Sequence, residues 1–390
     1  MVFLKKATDS VTIQILVNVG SNYEKKGIRG ISHFMEHMLF EGTTKRKTST
    51  AIANEIEKLG GEFNAYTSNE KTCFYIKVAK KHFRVALDIL SDIVQNPTFN
   101  EDKIEKEKKV ILKEINMASD DPRDYQWSLF MKKLFNKHPA KYHILGLKED
   151  VLNITQKQLF DYFNEFYVPN NMIVSIVGNV NNPISLVSKK FSKASKKMSM
   201  KTKISEYKQK KPRKIVEQRK ILNSYLILGY QTIGSSHKDT YVLDVIRALL
   251  ARGGSGKIVE EIRNKRGLAY EVNIRINRMN DTSYFAIYLN TDKSNISKAI
   301  RIIMKQISLL SNITKNELDD AKGYIEGKFI LGNESTSNLA NDLGYWEALK
   351  SAKLHSTYIK KIKSVTQNDV AKVAKKYLNK NYTLAIIKQK

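Results

Sequence analysis

Apolar and polar residues alternate through 11–19 (VTIQILVNV), the period of a half-buried strand. A loop follows, with Gly20, Gly27 and Gly30 among charged and polar residues, and from 31 to 40 the apolar positions take helical spacing. Residues 49–59 (STAIANEIEKL) predict a second helix, with Ala51, Ile52, Ile56 and Leu59 on one side and Gly60-Gly61 at its C-terminal end. Residues 62–78 read as a strand, a bend near Ser68-Asn69 and a second strand. Further helices are predicted over 82–95, 100–118, 122–136 and 155–166, the last capped by Thr155. An apolar strand over 171–177 (NMIVSIV) closes the first half.

The second half repeats the first. Asn223-Ser-Tyr-Leu-Ile-Leu-Gly parallels Asp9-Ser-Val-Thr-Ile-Gln-Ile, and Ile313-Thr-Lys-Asn-Glu-Leu parallels Phe99-Asn-Glu-Asp-Lys-Ile at the start of a long helix. Val365-Thr-Gln-Asn-Asp-Val matches Ile154-Thr-Gln-Lys-Gln-Leu, and Asn381-Tyr-Thr-Leu-Ala-Ile-Ile matches Asn171-Met-Ile-Val-Ser-Ile-Val. The pattern predicts two homologous α+β domains, each a mostly antiparallel sheet packed with helices, over 1–190 and 221–390. Residues 189–220 hold fourteen Lys or Arg and two Glu with little apolar pattern. A solvated, extended linker over 191–220 is the expectation for them.

Composition narrows the class. A chain of 390 residues with 42% hydrophobic and 27% charged residues can bury sizeable cores. No apolar run approaches the ~20 residues that span a bilayer, and Met1-Val-Phe-Leu-Lys-Lys lacks the layout of a secretory signal. The one cysteine, Cys73, excludes an internal disulfide framework and a cysteine-based zinc site, so a reducing, cytoplasmic setting is the default. Net charge is +28. No nucleic-acid-binding signature accompanies it, and lysine greatly outnumbers arginine, which argues for solvated charge over specific nucleic-acid recognition.

The chemistry concentrates in Ile31-Ser-His33-Phe-Met-Glu36-His37-Met-Leu. On a helix His33 and His37 stand one turn apart, with Glu36 on the same flank. Two neutral imidazoles so placed suit zinc, and a carboxylate beside them can deprotonate a water that zinc acidifies to about pKa 7. This is the inverted zincin pattern. The corresponding stretch of the second half, VIRALLARG over 245–253, has no such motif, so one metal site per chain follows. A catalytic zinc takes three protein ligands. The acidic helix 100–118 is the natural donor of the third, but spacing alone does not choose between Glu107 and Glu114, two turns apart on one face.

The motif, its continuation Met38-Leu-Phe-Glu-Gly-Thr and the segment Glu107-Lys-Lys-Val-Ile-Leu-Lys-Glu114-Ile resemble the pitrilysin/insulinase metallopeptidase family over nearly the whole chain. The short length resembles its mitochondrial-processing-peptidase-like branch. The resemblance implies a zinc endopeptidase in which His33, His37 and Glu114 hold the metal, Glu36 is the general base and Glu107 a supporting acid. It further implies that Asn64, Ala65, Tyr66 and Thr67 lie on an edge strand that binds substrate as an added strand. Arg263 and Tyr270 match the family's arginine–tyrosine pair, which grips substrate main chain and donates to the oxyanion. Without the resemblance, Arg263 reads as a surface helix residue and Tyr270 as core.

By the same resemblance, two such chains, identical or related, each form half of a clamshell around a chamber that admits peptides or unfolded polypeptides. A catalytically silent scaffold or partner subunit is the alternative within the family. Relatives begin with an additional strand and turn, so the first sheet is expected to lack an edge strand.

Overall fold

The computed structural model describes residues 1–191, 206 and 208–390, which form two compact units. In the first, strands β1 (Val2–Leu4), β2 (Ser10–Val17), β3 (Glu62–Thr67), β4 (Thr72–Ala79) and β5 (Met172–Gly178) make one sheet in the order β1-β5-β2-β4-β3. In the second, β6 (Arg213–Arg219), β7 (Ser224–Ile233), β8 (Val272–Arg278), β9 (Thr282–Thr291) and β10 (Thr383–Gln389) repeat that order as β6-β10-β7-β9-β8. Each sheet is mixed: its first pair is parallel and the other three antiparallel. The α+β class and the internal repeat follow directly. Thr155 and Thr366 close matching capping boxes at the starts of helices Gln156–Phe166 and Gln367–Tyr377.

The units are not contiguous in sequence. Met1–Met117, Tyr142–Thr202 and Gly332–His355 make the first; Ala118–Lys141, Lys203–Leu331 and Ser356–Lys390 make the second. Each half of the chain thus lends a helix to the other half's sheet. Helix Thr336–Leu349 packs on β2 and β5, and helix Pro122–Leu134 packs on β7 and β10.

This exchange corrects the half-buried reading of β2. Val11, Ile13, Ile15 and Val17 face the main core, while Thr12 and Gln14 on the opposite face are also buried. Thr12 Oγ1 donates to Thr336 Oγ1 at 2.9 Å and Gln14 Nε2 to the Ser337 carbonyl at 3.3 Å. Alternation was the right period, but the cover comes from residues some 320 positions away, and its polar contacts account for Thr12 and Gln14 on the covered face.

The expectation of a missing edge strand is also corrected. β1 fills that edge, three residues long against seven for β6, so both sheets have five strands. Of the stretch read as a basic linker, 192–205 and 207 lie outside the described residues. Arg213–Arg219 within it is strand β6, paired in parallel with β10. Its alternation was masked because only Ile215 and Val216 are apolar, the charged composition expected of an edge strand. Among the described residues no helix is long and apolar enough to cross a membrane.

Candidate metal centre and active site

The motif forms helix Ile31–Phe40. Ile31, Phe34, Met35, Met38 and Leu39 are buried in the core of the first unit. At roughly 1.5–3 kcal/mol for each fully buried side chain, this face fixes the helix firmly and sets the polar residues on its other flank. Gly30 precedes it with φ 99°, and a Cβ there would stand 2.6 Å from the Leu145 carbonyl oxygen. The first turn has no capping side chain of its own. Buried Glu24 supplies one from the loop, accepting the Gly30 and Ser32 N–H groups at 2.9 Å each.

Helix Glu101–Asp120 brings Glu114 to both histidines. Its Oε2 lies 3.6 Å from His33 Nε2 and 3.7 Å from His37 Nε2. Candidate ligand atoms of the three residues all lie within 4.8 Å of one another. These separations are too long for hydrogen bonds, whereas ligands at ~2.0–2.2 Å from one tetrahedral ion stand roughly 3.3–3.5 Å apart. The donor set therefore fits zinc. Burial, with His37 and His143 nearby, pulls the His33 imidazole down to about 3, keeping it neutral as a metal ligand must be.

Glu107, which spacing left as an equal candidate, takes a different place. Its Oε2 is 3.0 Å from His37 Nδ1, the ring nitrogen facing away from Glu114. Burial pulls the His37 imidazole down, but its bond to Glu107 and the charge of Glu114 outweigh that and raise it overall. The same bond holds Glu107 below the usual carboxylate range. Glu107 thus fixes the ring orientation of His37 and leaves Nε2 free for a metal.

Glu36 Oε2 accepts a 2.5 Å hydrogen bond from Thr67 Oγ1. Burial raises the Glu36 carboxyl despite that bond. Thr67 ends β3, whose one partner strand among the described residues is β4, so β3 is an edge beside the motif helix. Asn64 Oδ1 accepts the N–H of Ala65 at 2.8 Å, so the amide at this position is held by its own strand. The Tyr66 hydroxyl donates to Asn341 Oδ1 at 2.6 Å, on helix Thr336–Leu349. Sequence reasoning placed Thr67 on the strand but missed its bond to Glu36, and it passed over Glu24 entirely; a lone acid six residues before Gly30 was the only signal.

Arg263 and Tyr270 are in the second unit. Arg263 sits in a π-helical turn, Glu260–Asn264, and its guanidinium carbon lies 4.9 Å from the centroid of the Tyr270 ring. Tyr270 is 83% exposed, which corrects its residue-only reading as core. A hydroxyl at an exposed position is available to a ligand. Gly253-Gly-Ser-Gly256 is a turn.

Comparison with known proteins places this arrangement. Residues 1–148 match the profile of insulinase, peptidase family M16, and residues 153–324 that of the peptidase M16 inactive domain. The chain is 31% identical to an uncharacterized zinc protease of Bacillus subtilis over 97% of this chain and 93% of the relative. It is 31% identical to one of Mycobacterium leprae over 98% and 87%. A protease crystal structure from Helicobacter pylori superposes with TM-score 0.94 at 25% identity, covering 99% of this chain and 96% of that one. A Pseudomonas fluorescens structure described as a peptidase M16 inactive domain, at 20% identity and TM-score 0.92, shares the fold over 100% and 95%. Set beside the His33–His37–Glu114 group, these matches show that the chain belongs to the insulinase family of zinc metalloproteases, peptidase family M16.

Proposed function

We propose that this protein is a zinc endopeptidase of the processing-peptidase-like kind, cleaving short or unfolded polypeptides. The carrying observation is the convergence of His33, His37 and Glu114 with Glu36 beside the edge strand β3. In this reading His33, His37 and Glu114 hold one zinc ion per chain. When bound, the zinc polarises the scissile carbonyl and acidifies water. Glu36 takes a proton from the attacking water and returns it to the leaving amine. Thr67 fixes one oxygen of Glu36 and leaves the other to work. Glu107 steadies His37. Main-chain groups of Asn64–Thr67 pair with an extended substrate, and Asn64 turns aside to release the Ala65 N–H.

Arg263 grips substrate main chain and Tyr270 donates to the oxyanion. Both act on the site of a partner chain, identical or related, across a shared chamber, and each chain is one half of that clamshell. The buried, solitary Cys73 accords with a cytoplasmic setting. Sedimentation combined with assay tests the assembly: specific activity should rise with protein concentration as dimer forms. A fully active monomer would sink the chamber.

The chemistry is tested by cleavage of a quenched fluorescent peptide library before and after chelation and zinc addition. Glu36→Gln should lose roughly 10²–10⁴ of the rate while metal analysis still finds zinc. A wild type that binds zinc but turns nothing over points to an absent related half. A wild type that binds no zinc reassigns the chain to a scaffold role.

A further inference from the structure

The second unit carries a cleft that hydrolysis does not use in full. Two adjoining cavities, of about 350 and 520 Å³, share Arg123, Arg247, Glu271 and Asn290 in their walls. Arg275 and Trp127 complete the smaller, and Arg263 and Tyr270 the larger. Four of the chain's thirteen arginines line this cleft, and no lysine among the described residues does. Against them stand two carboxylates, Asp124 and Glu271, which leaves an excess of two positive charges.

None of the four arginines makes an ion pair among the described residues, whereas Arg252, Arg266 and Arg278 of the same unit pair with Asp320, Glu261 and Asp244. Aromatic rings hold two of the four. The Arg275 guanidinium carbon lies 5.0 Å from the centroid of Trp127, as Arg263 does over Tyr270 at 4.9 Å. Stacking on a ring orients a guanidinium while its N–H fork stays accessible to a ligand. Forks so held match a planar carboxylate in bidentate fashion, and the absence of lysine from so lysine-rich a chain's cleft argues against a general polyanion site.

We propose that this cleft takes an acidic side chain of a polypeptide, docked against Arg123, Arg247 and Arg275, and so gives the enzyme a preference for acidic substrates. That the carboxylate belongs to a substrate rests on the peptidase reading; the binding itself does not require turnover. The preference is local to the cleft and separate from the pull of a +28 chain on any anion.

The test is fluorescence anisotropy on the full chain carrying Glu36→Gln, so that no probe is cut. The probe is a rhodamine-labelled, C-terminally amidated dodecapeptide with two adjacent glutamates, compared with its glutamine counterpart. The acidic peptide should bind about tenfold more tightly. Changing Arg123, Arg247 and Arg275 together to Gln should bring that ratio below about twofold. Lys298→Gln, Arg301→Gln and Lys305→Gln, which remove the same charge from exposed positions of helix Ile296–Ser308, should leave it intact. Arg275→Lys, which keeps the charge and loses the fork, should lose most of the preference and guards against misfolding of the triple variant. Equal loss in the triple variant and the lysine-helix control overturns the proposal in favour of net charge. Tighter binding only of the glutamine peptide with a free C-terminus overturns the side-chain assignment in favour of a chain terminus. Because the readout is binding, a protein that shows the preference and never cleaves would retain the cleft and lose only the hydrolytic reading.

Discussion

Glu24 and Glu107 are buried carboxylates that each hold another group in place, Glu24 the first N–H groups of the motif helix and Glu107 the His37 ring. Glu107→Gln keeps the size of the side chain but ends the charged bond to His37 Nδ1 at 3.0 Å. Zinc affinity should fall about 10–100-fold, read by competition with a chromogenic chelator, and unchanged affinity would remove Glu107 from the site. Glu24 lends itself to a pH experiment. Burial lifts its carboxyl from 4.5 to about 7 in spite of the Gly30 and Ser32 N–H groups. The folded chain therefore holds this proton more tightly than the unfolded chain does. Its stabilising contribution is complete below pH 4.5 and is lost as pH rises to about 7. A shift of that size is worth on the order of 3 kcal/mol. Urea midpoints of the wild type should fall between pH 5 and pH 8, and Glu24→Gln should flatten that decline; parallel profiles would refute the assignment. The residues legible in the sequence were those within one helix turn, His33, Glu36 and His37. Glu114 was one of several acids on its helix, and periodicity alone did not separate it from Glu107; the resemblance did, and the structure sets Glu114 beside both histidines. Thr67 lies thirty-one residues from Glu36, too far for any periodicity to join them.

Elements were easier to read than their surroundings. Helical and strand periods located most segments of the first half because they report one buried face, and the internal repeat carried four of them into the second, whereas β8, β9 and helices Ile296–Ser308 and Thr336–Leu349 were not read. A second covering layer leaves no periodic trace, as Thr12 and Gln14 of β2 demonstrate. Both exchanged helices meet their sheets where a glycine removes a side chain. A Cβ on Gly229 of β7 would stand 2.5 Å from the ring of Phe130, and one on Gly344 would stand 2.6 Å from Leu16 Cδ1. Both side chains are fully buried, but the Phe130 ring is one rigid unit whereas the end of Leu16 can turn between rotamers. Gly229→Ala should cost about 1–3 kcal/mol in urea denaturation and Gly344→Ala less. Equal costs would mean that the two contacts yield alike. The charged edge strand β6 illustrates the opposite failure, since a strand with few apolar residues resembles a connector in composition while its backbone completes a sheet.

Across the whole chain, the exchange of helices has a consequence for how the gene can be divided. Neither half of the sequence encodes a complete unit: the first contributes Ala118–Lys141 to the second unit, and the second returns Gly332–His355 to the first. Produced alone, residues 1–202 would leave Leu16, Cys73, Ile173 and Val177 uncovered on one sheet and helix Pro122–Leu134 without a sheet to cover. Such a fragment should be insoluble. Produced together, 1–202 and 203–390 should recover one another and copurify through a tag on either, and independent solubility of each would contradict the exchange. The covalent link between the halves is then dispensable while their reciprocal loan is not, so the molecule should behave as two subunits fused into one chain.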